Sequence, residues 1–505
     1  MSENFKIKLL LKLSLAIAVV YAVCFCNNHT GIAYAVFGIF FASMLWWLIV
    51  KKKCRKIGFW DISYGLGCIF LNVIPAISAN EFVFMVSRLL LVIILIKWTI
   101  HISYNVEKIE FIQNISIIID FIFSALSQIF APLTDVRQIK GTDKAHMNNG
   151  IKGNSDNLTE EKLSNKMQII IGIAISLPVL FVVLELLASA DVVFKNVITG
   201  AFVGTDNIQI ITKLLFTALV AFLISYCCGK ALLQRGIRVT GMKIKKADTV
   251  VGITFSGIFS AVYLLFCIVQ IAALVNTSGT MLPNGYTYAK YARTGFFQLM
   301  VVCLINICMV IACRLKFNMN GILQKLLTII SACTYIMTAS SAYRMVLYIQ
   351  NYNLTFLRIL VLWILIVIAV LMVFVIWFIY DEEIKLFEYG LLSVTILFLI
   401  FAFIKPDNII AKYNLQNFES NANADAKYLI NNLSLDAADT IISNEISGKF
   451  VNEEIMTGYC KSIVNEYENC YKNDFRKFNW SRYQAYKKAK EYLKLYNTQN
   501  VYNGR

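Results

Sequence analysis

The sequence predicts an all-α, polytopic integral membrane helix bundle of about eleven spans, followed by a small helical domain on the extracytoplasmic side. Three observations predict it. Apolar runs of spanning length fill residues 9–403. The 505-residue chain is 58% hydrophobic with a mean hydropathy of +0.63, whereas soluble proteins sit near about 45–50% apolar. Lysine and arginine collect in alternate gaps between the runs, the arrangement that marks cytoplasmic loops. The formal charge of +16 is then explained by basic loops held against anionic lipid, not by nucleic acid.

A bilayer core needs about 20 apolar residues per helix. Spans are expected at 9–26, 31–50, 60–77, 82–101, 167–188, 209–228, 251–275, 295–315, 326–349, 357–379 and 387–403. The first four make an N-terminal region, 1–108, and the last seven a core, 167–403. The first run lacks an A-x-A-like exit and is expected to be a retained span rather than a signal peptide. Lys6, Lys8, the run at 51–56, the loop after Ala131, the loop 230–246 and the turn 314–325 hold the basic residues. The gaps at 27–30, 78–81, 189–208, 276–294 and 351–356 hold few. The first set is expected to be cytoplasmic, which puts the N-terminus inside and the C-terminal domain outside.

Residues 109–132 are expected to form an amphipathic helix lying along the cytoplasmic interface. Gln113, Ser116, Asp120, Ser124 and Gln128 recur every three or four positions, a polar stripe on an apolar helix. A spanning helix here would move the basic loop 230–246 to the outside. A polar face buried against the bundle is the competing reading. Residues 133–166 are polar and rich in Gly and Asn, and are expected to be a disordered cytoplasmic linker because they cannot bury a core.

From 404 to 505 the composition becomes that of a soluble protein. Leu433, Leu435, Ile441, Ile442 and Ile446 mark short amphipathic helices, with Ser434 or its neighbour as N-cap. Residues 474–495 read as a basic, aromatic helix with a packed side and a solvated one. Cys460 and Cys470 are the two cysteines of this tail, and an oxidising compartment would let them pair. The other cysteines, among them Cys68, Cys267, Cys303, Cys308 and Cys333, lie mostly inside apolar runs as packing residues. With three histidines and no CxxC pairing, a histidine-rich metal site is excluded. No nucleotide-binding, zinc-protease or serine-hydrolase motif occurs, and no cofactor is expected.

Charged residues inside spans mark candidate sites because burying them in lipid is costly. Arg88, Glu185, Asp191, Arg293, Arg344 and Arg358 all fall in the outer leaflet or at its rim, on a helical rise of about 1.5 Å per residue. Tyr288, Tyr291 and Tyr348 stand at the same level, and Gln270 and Gln298 add polar groups nearby. One reading is structural: arginine–carboxylate pairs inside the bundle and an interfacial tyrosine belt. The other is an outward-facing cavity whose arginines hold an anion, such as a lipid headgroup phosphate or a phosphorylated lipid carrier. Toward the cytoplasmic side only Asp120 stands out.

Several ordered blocks carry a family resemblance: LLASADVVF at 186–194, YTYAKYARTGFFQL at 286–299, SSAYRMVLYIQNYNLTFLR at 340–358, IAKYNL at 410–415 and DAKYLINNLSLDA at 425–437. Across about 167–490 the chain resembles the bacterial multi-pass proteins of domain-of-unknown-function family 4173, a relative of family 4153. The resemblance implies a bacterial cytoplasmic membrane and many spans, and transfers no catalytic residue. The function expected is a non-enzymatic one, in sensing, scaffolding or an envelope-associated role, with the lipid bilayer as partner. The alternatives are an envelope enzyme acting on a lipid-linked substrate, with Glu185 or Asp191 as its acid or base, and a transporter. The outer loop at 27–30 is too short for a glycosyltransferase-type acid, and no internal repeat supports transport.

Overall fold

The structure is a computed structural model. It describes residues 3–28, 30–51, 57–103, 111–128, 131–132, 134–135, 206–234, 246–276, 288–416, 428–446 and 453–502. Fifteen α-helices are named here in chain order. They are α1 Glu3–Phe25, α2 Ile32–Lys51, α3 Phe59–Ile77, α4 Glu81–Ser103 and α5 Phe111–Ser127. Next come α6 Asp206–Gln234, α7 Thr249–Asn276, α8 Tyr288–Lys316, α9 Gly321–Tyr352, α10 Phe356–Tyr380 and α11 Leu386–Phe403. The C-terminal region holds α12 Pro406–Gln416, α13 Ala438–Ile446, α14 Glu453–Cys470 and α15 Trp480–Tyr502, with 3-10 turns at Leu435–Ala437 and Phe475–Lys477.

Among the described residues nine helices are long and apolar enough to cross a membrane, and they fall on nine of the expected spans. The protein is an all-α polytopic membrane protein. The described apolar stretch of α2, Ile32–Trp47, is shorter. The span expected at 167–188 and the linker at 133–166 lie outside the described residues, apart from Thr134 and Asp135. α5 is helical as expected and turns Ile115, Ile119, Ile122, Phe123 and Leu126 outward while burying Asn114 and Ser124.

The chain divides into two compact units. The smaller comprises Met1–His29 and Ser116–Arg238. In it α1 lies along α6, because α1 buries a row of small residues, Ser14, Ala18 and Ala22, which lets two backbones approach closely in lipid. Gly229 on α6 sits where an added Cβ would stand 2.3 Å from Leu10. Near the end of α6, Lys230 Nζ and Tyr226 OH both reach Asp135 Oδ2 at 2.6 Å.

The larger unit comprises Thr30–Ile115 and Val239–Arg505. Its helices pack in a row: α2 on α3, α3 on α4 and α11, α11 on α10, α10 on α9, and α9 on both α7 and α8. Aromatic rings seal the α10–α11 seam, Trp363 lying against Phe398 and Phe401. α9 is the centre, with Leu323, Leu327, Ile330 and Met345 at 0% exposure. It also buries Ser331, Thr334 and Thr338. Their hydroxyls donate to the carbonyls one turn back, at Leu327, Ile330 and Thr334, at 2.8–2.9 Å, so polar groups enter the core without an unsatisfied donor.

Successive antiparallel helices give this unit two ends. At one, called here the basic end, lie the start of α3 and the ends of α4 and α8. At the other, the tail end, the C-terminal region docks on the α3–α4 turn. The last carbonyls of a helix need outside donors, and for α3 the tail supplies them. Asn479 Nδ2 donates to Pro75 O and Ser78 O at 2.9 and 2.6 Å, and Ser481 Oγ donates to Ile77 O at 2.7 Å. Gly31 N also donates to Pro75 O, and Ile32 N donates to Phe478 O, both at 2.9 Å. Gly31 has φ +100°, and a Cβ there would meet Arg476 O at 2.5 Å, so this backbone crossing requires glycine.

In the tail, Ser434 is the N-cap of the 3-10 turn, accepting from Asp436 N at 3.3 Å, as its sequence context predicts. The sequence leaves the pairing of Cys460 and Cys470 open, and the fold does not bring them together. Cys460 is buried and Cys470 exposed. They stand ten residues apart on one helix, about 15 Å of axial rise, beyond disulfide reach. Cys68, Cys267, Cys303 and Cys333 are buried as expected, whereas Cys308 is exposed.

Candidate functional site

The arginines of the candidate site divide between two parts of the tail end. Arg88, on α4, reaches α2: its Nη2 donates to Tyr34 OH at 2.9 Å, and the guanidinium lies 5.2 Å from the centre of that ring. Arg344, on α9, reaches α7: its Nη2 donates to Gln270 Oε1 at 2.8 Å, and Ser340 Oγ donates to the same oxygen at 2.9 Å. Ser340 is one helical turn before Arg344, so the two donors leave one face of α9 together and clamp one amide. Gln270 and Ser340 are buried.

Arg358, in the first turn of α10, folds back over α9. It lies 4.2 Å from the ring centre of Tyr348 and donates to the carbonyls of Tyr352 and Asn353. Those carbonyls close the end of α9, where a cation is favoured by the helix dipole. Arg358 therefore caps a helix, and Tyr348 is its platform. Tyr348 and Arg358 are brought together, with Arg344 one turn away, while Arg88 finds its partner on α2. Tyr288, Tyr291 and Arg293 stand on the first two turns of α8, and their side chains lie outside the described residues. Glu185 and Asp191 lie outside them entirely.

Beside these residues the tail end holds a buried carboxylate network. Asp407 Oδ2 accepts from Asn80 Nδ2 at 2.8 Å, Ser434 N at 3.1 Å and Ser434 Oγ at 2.5 Å. Asp436 accepts from Ser78 Oγ at 2.5 Å and Ala79 N at 2.8 Å. Asn80 in turn caps α4, accepting from Val83 N at 3.0 Å. Burial raises the Asp407 carboxyl above its ordinary range. The hydrogen bonds from Ser434 and Asn80 oppose that rise, and the neighbouring Asp436 charge adds to it. A second clasp joins α12 to the α9–α10 turn: Asn414 accepts from Leu354 N at 2.8 Å and donates to Leu354 O at 2.9 Å.

Sequence reasoning missed a polar cluster at the basic end and singled out Asp120 of the smaller unit, which is exposed. Lys97 Nζ pairs with Glu388 Oε1 at 2.8 Å and also donates to Asn114 Oδ1. Lys97 and Asn114 are buried, Glu388 nearly as deeply. Asp61 accepts from Gly58 N at 3.0 Å and faces His101 at 3.7 Å. The Tyr64 ring lies 6.1 Å from that of His101, and its buried hydroxyl has no hydrogen-bond partner among the described residues. A third group lies at the same end: Arg314 donates to Phe378 O at 3.0 Å and faces Glu382 at 3.5 Å, and Lys246 faces Glu382 at 3.1 Å. The signal for these residues was thin. Asp61 and Glu388 sit in the first turns of their helices, where acidic residues ordinarily cap.

Fold and site together define a multi-pass helical membrane protein with clusters of charged residues at both ends of its larger unit. The chain belongs to the family described as Domain of unknown function (DUF4153), whose model matches residues 65–444. That match supports the related family of the resemblance rather than family 4173 itself. No curated protein and no solved structure matches the chain.

Proposed function

We propose that this protein is a non-enzymatic sensing or scaffolding component of a bacterial cytoplasmic membrane, with the C-terminal helical region outside the cell as its receiving part. The observation that carries this reading is the buried network of Asp407 and Asp436 on Ser78, Ala79 and Asn80. A region bonded into the helix ends transmits what binds it to α3 and α4, whereas a loosely tethered domain would not. In this reading an anionic lipid headgroup or a phosphorylated lipid carrier is the small ligand. Arg344 is its principal donor, and Arg88, Arg293, Tyr288, Tyr291, Glu185 and Asp191 are the further candidates that the sequence offers. Arg344 supports this because Gln270, itself held by Ser340, accepts from its guanidinium and orients it.

Native mass spectrometry of the detergent-purified protein tests the ligand. Arg344→Met is expected to lose bound anionic lipid while Arg344→Lys retains part of it, both accumulating as the parent does. If Arg344→Met fails to accumulate and Arg344→Lys accumulates but binds no anionic lipid, or if Arg344→Met accumulates and keeps its lipid, the arginine serves packing and the ligand reading falls.

A second reading, transport, is favoured by one observation: the Lys97–Glu388–Asn114 cluster places buried polar groups at the basic end, as a permeation path requires. Unchanged solute and proton flux in proteoliposomes with Glu388→Gln would remove it.

A further inference from the structure

The first half of the tail's last helix and the turn before it carry large apolar side chains that the fold leaves outside. Phe475 is 76% exposed, Trp480 48% and Tyr483 37%. These residues are not at the end of a loose arm. The carbonyl of Phe478 accepts from Ile32 N, Asn479 is buried against Pro75 and Ser78, and Ser481 is bonded to Ile77. Phe475 and Trp480 are therefore fixed at the level where α2 begins and α3 ends. That level is the edge of the apolar layer, because α3 and α4 are each long and apolar enough to cross it and their joining turn lies between them. The outward apolar face of α2 starts close by: Val36 is 52% exposed and stands about 6 Å along the axis from Ile32.

The charge of the segment matches one kind of surface. Residues 471–490 hold seven basic residues, Lys472, Arg476, Lys477, Arg482, Lys487, Lys488 and Lys490, against one acidic residue, Asp474. Arg476 is taken up by Asp474 at 2.8 Å and Arg482 by Glu466 at 2.6 Å. Lys477 stands between the exposed Phe475 and Trp480. Aromatic side chains seated at the headgroup level, with lysine beside them, are the composition of an interfacial anchor, and anionic headgroups attract such lysines.

We propose that Phe475, Trp480 and Tyr483, with Lys477, form a bilayer-surface anchor by which the docked C-terminal region rests on the headgroup boundary of a membrane containing anionic lipid. The anchor holds the tail from the lipid side while the Asn479 and Ser481 bonds hold it from the helix side. It does not depend on the ligand reading above, because it uses none of the same side chains.

The test uses the full-length chain in nanodiscs of phosphatidylcholine, with and without phosphatidylglycerol. Phe475→Cys is labelled with a bimane fluorophore in a Cys308→Ser, Cys470→Ser background, and that background alone sets the blank. Lys487→Cys, similarly labelled, is the solvent control. The label at 475 is expected to lose quenching by aqueous iodide and to be quenched by nitroxide-bearing lipid. The control is expected to behave oppositely. Adding Lys477→Gln is expected to weaken lipid quenching in discs with phosphatidylglycerol and to leave it unchanged in phosphatidylcholine alone. Free access of iodide to position 475 in both lipids overturns the proposal. So does protection that needs two copies per disc, which would assign the patch to a second copy of the chain. Equal effects of Lys477→Gln in both lipids overturn the anionic component. Should the label at 475 disturb folding, as read by thermal unfolding, Trp480→Cys supplies the same measurement.

Discussion

At the basic end of the larger unit, buried Lys97 faces Glu388 at 2.8 Å, and Arg314 faces Glu382 at 3.5 Å. At the tail end, Asp407 and Asp436 are held by hydroxyl, amide and backbone N–H donors. The basic end thus joins α4 to α11, and α8 to the α10–α11 turn, by opposite charges. The tail end joins a late segment to an early turn by directed hydrogen bonds to carboxylates. An ion pair tolerates error in angle but is costly to break in a dry interior. A network of hydroxyl and amide donors is less costly to break, but it fixes register and orientation. The first arrangement suits helices that must stay together. The second suits a region that must sit in one place.

The largest effect that would break this comparison is expected at Lys97. Lys97→Met leaves Glu388 buried without its cation, and is expected to cost about 3–5 kcal/mol. The double variant Lys97→Met, Glu388→Leu should recover most of that, both read by thermal unfolding in detergent. If the single variant is as stable as the parent, the cluster is wetter than its burial implies.

Asp436→Ala is next. Removing this acceptor strands Ser78 Oγ and Ala79 N, at an expected cost of about 1–3 kcal/mol. Hydrogen exchange should rise at 75–83 and 435–446 and stay unchanged along α7 and α8. Exchange that rises across the whole bundle would mean that the tail is not a separable attachment.

The smallest expected effect is a pH slope. Because burial raises Asp407 above the ordinary carboxylate range, the docked form binds its proton more tightly than the undocked form. Docking is then expected to strengthen as pH falls through the interval between the ordinary and raised values, and to weaken as pH rises through the raised one. Asp407→Asn keeps an acceptor for Ser434 and should flatten that slope, checked by hydrogen exchange at α12 and α13 across a pH series.

The spans were legible because apolar length and basic-gap alternation are local properties. The Ser434 cap was legible for the same reason: its side chain serves a residue two positions on. The partners that make the ends were not. Asp436 bonds Ser78 across 358 residues, and Asn479 bonds Pro75 across 404, and no periodicity encodes such a pairing. Lys97 and Glu388 stand near helix ends, where single charges are ordinary, and 291 positions of sequence separate the two partners. Arg358 stands among the sequence's candidates, but its partners in the fold are backbone carbonyls, which every sequence position offers.

Among these features the closing of α3 by Asn479 and Ser481 has a consequence for how the protein is made. The α3–α4 hairpin is translated 401–404 residues before the donors for its turn. Until then its carbonyls at 75, 77 and 78 rely on water or on whatever else is near. The hairpin is made well before it is finished. A ribosome that stops short of residue 479 therefore releases a chain with its spans in place and an open joint at their edge, which a membrane protease could distinguish from the completed molecule.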